Sequence, residues 1–156
     1  MIHANELMIG DLVQVNRDDL CIKNGTIVRV LGVDGESKLK EKGLIGCAGC
    51  QPLDKEQFSG GIWCEYLSPI PITPAILEKN GFEIVSARDD NAGTMEKYFY
   101  QRIGYVYRFS NGEWEVDLIG YGRGFSGAAK YRGVIKYVHE IQHALRLCGI
   151  DKEIIV

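Results

Sequence analysis

No apolar run in the chain extends beyond a few residues, which excludes a membrane-spanning helix of the roughly 20 residues a bilayer needs. The opening stretch carries Asn5 and Glu6 where a secretory leader would place its basic and then apolar regions, so export is not expected. Nor is there an excess of positive charge: 18 basic against 21 acidic residues leave −3, and no global field recruits nucleic acid or an anionic membrane. Cysteine is odd in number, five, which without an export signal points to reduced thiols in a cytoplasm rather than a disulfide framework. Proline is scarce, four in all, and three of the four fall in Pro69-Ile70-Pro71-Ile72-Thr73-Pro74. They enforce extended backbone and refuse ladder hydrogen bonds, so a domain boundary belongs there.

What is present is an ordinary folded composition: 156 residues, 46% hydrophobic and 25% charged, enough for one good core or two small ones. Before the boundary, β-like stretches at Asp11 to Val15, Thr26 to Val33, Leu44 to Cys47 and Ile62 to Leu67 alternate with Gly, Asn and charged turns. They predict a small SH3-like β-barrel over residues 1–70, with Glu36 to Lys42 as a solvated loop. After it, Thr73 caps a helix from Pro74 to Lys79 that Asn80-Gly81 ends.

Three β-like stretches follow, at Lys97 to Ile103, Tyr105 to Ser110 and Glu113 to Ile119. Asn111-Gly112 between the last two is a type I′ hairpin signal. A two-residue turn sets Phe109 opposite Trp114, Tyr107 opposite Val116 and Tyr105 opposite Leu118, with Arg108 facing Glu115 on the other side. The aromatic stripe then reads as core, the alternative being a base-stacking platform. A helix over about Ile135 to Leu147 covers it with Val138, Ile141, Ala144, Leu145 and Cys148. The fold class is therefore α+β: a barrel in residues 1–70, then an antiparallel sheet packed by a C-terminal helix in residues 71–156.

Three motifs carry possible chemistry. His139-Glu140-Ile141-Gln142-His143 has the spacing that grips zinc with two imidazoles one turn apart and a Glu as general base. Both imidazoles fall on the side of the wheel opposite the apolar stripe, which predicts exposure to water, and the downstream positions of an extended zinc motif are Arg146 and Gly149. Gly122-Arg123-Gly124-Phe125-Ser126-Gly127 fits a dinucleotide fingerprint, but too little chain follows for a second crossover. The loop Gly120 to Gly133 still gathers Arg123, Lys130 and Arg132 with Tyr121, Phe125 and Tyr131, a set suited to an anion or a stacked base. Cys47-Ala48-Gly49-Cys50 has the spacing of half a zinc site, although Cys21 and Cys64 do not complete the usual paired pattern, and a turn bearing reduced thiols is expected.

The segments Pro69 to Phe82 and Ile135 to Leu145, with the opening Met1 to Gln14, resemble a protein family of gut Bacteroidales, their phages and mobile elements, for which no activity is known. That family's tail reads Tyr-Val-His-Gln-Leu-Gln-Asn, so Glu140 and His143 depart from it within the zinc pattern. The resemblance implies a small SH3-like barrel at the start of the chain. No complete catalytic set is present, and the expectation is a non-catalytic binding or adaptor protein for a protein or peptide partner, without a cofactor. The alternatives are a zinc hydrolase using His139, Glu140 and His143, and a nucleic-acid binder using the Gly/Arg-rich loop.

Overall fold

The computed structural model describes residues 2–18, 22–34, 46–54, 60–86, 94–100, 104–120 and 129–156. The chain divides into two compact units, Met1–Ile70 and Pro71–Val156.

In the first unit, strands β1 (Leu12–Val15), β2 (Ile27–Asp34), β3 (Cys47–Pro52), β4 (Gly60–Trp63) and β5 (Leu67–Pro69) form one antiparallel sheet in the order β4-β3-β2-β1-β5. Alternation explains its core, since Val13 and Val15, Val28 and Val30, and Ala48 and Cys50 point inward two residues apart and join Ile62, Cys64 and Leu67. A 3₁₀ turn, Cys64–Tyr66, links β4 to β5. Those two strands stand at opposite edges, and no ladder joins them among the described residues, so the structure shows a five-stranded sheet where a closed barrel was expected. The Cys47 to Cys50 segment lies on β3, paired with β2 and β4, not in a turn. Glu36 to Lys42 and Cys21 lie outside the described residues.

The second unit opens with helix α1 (Pro74–Lys79), where Thr73 Oγ1 accepts a hydrogen bond from the Ile76 N–H at 3.3 Å. Gly81, at φ +76°, takes the left-handed conformation that ends it. Strands β6 (Glu83–Ser86), β7 (Thr94–Tyr100), β8 (Gly104–Phe109), β9 (Trp114–Gly120) and β10 (Ala129–Ile135) form a second antiparallel sheet in the order β10-β9-β8-β7-β6. Helix α2 (Val138–Leu147) packs against β9 and β10. Strand β10 takes up residues read from sequence as part of a loop, and α2 starts three residues later than expected because Ile135 is still paired with Trp114.

The hairpin corrects the predicted register. The Phe109 N–H donates to the Glu113 carbonyl at 2.9 Å, so the loop is Ser110-Asn111-Gly112, three residues, with Gly112 at φ +85°. Asn111 Oδ1 accepts from the Glu113 N–H at 3.0 Å and steadies that loop. Each pairing slips by one residue: Val106 faces Val116, Tyr105 faces Asp117, Tyr107 faces Glu115 and Arg108 faces Trp114. A one-residue slip exchanges the faces of one strand relative to its partner. In the two-residue register Val106 shares a face with Glu115 and Asp117. The observed register instead puts Val106 with Val116 and Leu118, and sets Tyr105 and Tyr107 with Glu115 and Asp117 on the other face.

The inner face of this sheet carries Tyr98, Val106, Val116, Leu118 and Ile135, none more than 1% exposed. Phe82 stacks on Tyr100 there at 4.6 Å between ring centroids. Arg108 pairs with Glu96 at 3.2 Å rather than with Glu115, because both Glu96 and Arg108 belong to the inner side at the hairpin end. The last residues are tied down by Asn80, which is 3% exposed. Its Nδ2 donates to the Ile155 and Ile76 carbonyls, each at 2.7 Å, and its Oδ1 accepts from the Ile155 N–H at 2.8 Å.

Candidate functional site

The zinc-like helix is built for another purpose. Glu140 sits in the first turn of α2, and its carboxylate accepts from the Lys136 N–H at 2.5 Å and the Tyr137 N–H at 3.0 Å. Both donors lie where a helix start leaves backbone groups in need of partners. The residue that would act as general base is therefore turned onto the backbone.

The predicted exposure of both imidazoles is also corrected. His139 is 3% exposed and His143 half-buried. Val138, His139, Ile141, Gln142, Ala144 and Leu145 are all buried, an arc of about 220° at 100° per residue, well beyond the apolar stripe alone. His139 stacks on Tyr137 at 5.8 Å and meets the His143 ring edge-on at 5.7 Å. These are packing arrangements of rings. Among the described residues, no group of three or more His, Cys, Asp or Glu side chains is placed to hold a metal ion.

Cys50 and Cys64 are buried in the first unit's core and Cys47 is half-buried on β3, all as free thiols. Burial pushes the Cys50 thiol up to about 12, helped by the neighbouring Cys47 and Cys64 sulfurs. It pushes Cys64 up to about 11, with Cys47 adding to it. Burial, then Asp34, raises Cys47 as well. Near neutral pH and without a metal these groups are thiols rather than the thiolates that act as nucleophiles.

Of the anion-binding set, Tyr121, Arg123 and Phe125 lie outside the described residues, as does the Gly122 to Gly127 motif. Lys130 and Arg132 stand on β10, two residues apart. Arg132 is held by Glu115, whose carboxylate accepts from its Nε. The first unit also has an open cleft of about 420 Å³ lined by Arg29, Gln51, Pro52 and Leu53.

The surface that sequence reasoning placed wrongly is the outer face of the second sheet. The ladders put two rows of side chains across it. One runs Glu83, Phe99, Tyr105, Asp117, Arg132 and the other Lys97, Tyr107, Glu115, Val134. Only the β8 half of the expected core stripe is thus turned outward, while Trp114, Val116 and Leu118 stay buried: Tyr105, Tyr107 and Phe109, with Phe99 beside them, are all partly exposed. Phe99 and Tyr105 lie 5.4 Å apart and Tyr105 and Tyr107 6.0 Å apart, tilted by 44° and 38°, so they make a faceted cluster rather than one flat platform. The Lys97 ammonium lies 3.9 Å from the centre of the Tyr105 ring and 5.4 Å from that of Tyr107. Tyr107 is raised above the ordinary tyrosine range, by burial first and then by Asp117. Lys97, Phe99, Glu115 and Asp117 were missed from sequence. The alternation of Trp114-Glu115-Val116-Asp117-Leu118 against Val106 was the signal that could have found them.

Comparison of the chain with protein-family models, with curated proteins and with solved structures finds no match. No helix among the described residues is long and apolar enough to cross a membrane.

Proposed function

We propose that the protein is a non-catalytic binding module, an adaptor for a peptide or protein partner, whose contact surface is the outer face of the second sheet. The observation that carries this reading is the partly exposed cluster of Phe99, Tyr105 and Tyr107 on a sheet whose opposite face is already filled by core. Large aromatic groups are what peptide and protein interfaces enrich, because each ring contributes much contact area for little lost freedom. The first unit is an SH3-like barrel in this reading. Its strand order β4-β3-β2-β1-β5 and the 3₁₀ turn before the last strand support that assignment. The resemblance of both chain ends to a Bacteroidales and phage family supports an origin in a phage or mobile element.

Selection of peptides from a random display library tests the function. Peptides enriched on the wild-type protein are expected to lose binding to a Tyr105→Ala, Tyr107→Ala double variant that melts cooperatively. Enrichment that survives in that variant, or no enrichment at all, would refute the reading.

A further inference from the structure

Resting on that reading, we propose that the outer face takes a basic segment, and that Lys97 occupies the place of the incoming cation until the partner arrives. Three observations converge on a cation. The tyrosine rings of the cluster already hold one, since the Lys97 ammonium lies over both, nearer to Tyr105. Ring faces carry negative quadrupole charge, and an ammonium or guanidinium over them is attracted while its outer side stays in water.

Carboxylates surround the rings. Asp117 is opposite Tyr105 and Glu115 opposite Tyr107, and Glu83 stands at the far end of the Phe99 row. Across the two rows, Glu83, Glu115 and Asp117 outnumber Lys97 and Arg132 among the described side chains. The second cation, Arg132, is matched to Glu115. A phosphate-bearing strand would meet these carboxylates, whereas a lysine or arginine of a partner would find rings on one side and acids on the other. The tilts of 44° and 38° between neighbouring rings also suit a compact cation better than a base that stacks flat.

Lys97 is tethered in β7, so its ammonium competes with any other at high local concentration. Removing it should unmask the rings. The test follows the ring resonances of Tyr105 and Tyr107 by NMR at low ionic strength during titration with three probes: a heptapeptide of alternating lysine and glycine, its glutamate counterpart, and oligothymidylate. The expected result is that the basic peptide alone shifts both rings. Lys97→Ala and Lys97→Gln are expected to tighten its binding about two- to fivefold, the range of an exposed cation–π contact. Asp117→Asn is expected to weaken it.

Unchanged or weaker binding of the basic peptide in both Lys97 variants would overturn the placeholder role. Shifts caused by the acidic peptide or by oligothymidylate in its stead would overturn the cation assignment while leaving the face a binding surface. Silence from all three probes would overturn this inference, while the display selection decides the reading beneath it.

Discussion

Glu140 shows how one residue can satisfy a catalytic pattern and serve a structural end. Its carboxylate holds the Lys136 and Tyr137 N–H groups at the start of α2. Glu140→Ala should therefore cost about 0.5–2 kcal/mol of stability, as loss of a helix-start acceptor does, measured as a lower urea midpoint. The metal content of the purified protein should not change. A zinc enzyme would behave differently: the substitution would abolish hydrolysis with stability nearly intact. The five-residue pattern was plain in the sequence, but nothing in it disclosed that the glutamate would turn back onto its own backbone. His139 was placed in water for a related reason, because the wheel ranks apolar side chains only and passes over polar ones that a second flank buries.

Elements were more legible than their registers. Thr73-Pro74 and Asn80-Gly81 announced α1 through capping chemistry that acts within a few residues. The hairpin between β8 and β9 was equally visible in Asn111-Gly112. Its loop length was not, because glycine at positive φ serves two-residue and three-residue loops alike, and that choice decides which face the tyrosines occupy. Strand β10 was missed since Ala129-Lys130-Tyr131-Arg132-Gly133 lacks the branched residues that mark a strand, and its pairing with β9 is tertiary. A contact between elements yields the next prediction. Asn80 joins the end of α1 to Ile155 through bonds made in both directions. Asn80→Ala should destabilise the second unit by about 1–3 kcal/mol, the cost of stranding buried polar groups. Hydrogen exchange is expected to show the Ile155 amide losing protection first.

At the scale of the molecule, the raised thiols and tyrosines make stability depend on alkaline pH. Cys50 titrates near 9.0 when unfolded and at about 12 when folded, and Cys64 at about 11. Tyr98 is also raised, by burial and then by its hydrogen bond to Glu96. Between the two values the unfolded chain has released protons that the folded one keeps, which favours unfolding. Their contribution is thus complete below pH 9.0 and fades as pH climbs through the folded values. Urea midpoints should fall as pH rises from 9.0 to about 11, and Cys50→Val should flatten that decline. A midpoint independent of pH over this interval would contradict the burial of these groups.

The Asn80 latch also bears on synthesis. Its two halves are separated by 75 residues, and the second follows every strand and helix of its own unit. Residues of the first unit are free of that wait, since all of them precede Pro71. Maturation of this protein is therefore expected in two strokes, an early one for the N-terminal sheet and a late one triggered by the emergence of Ile155.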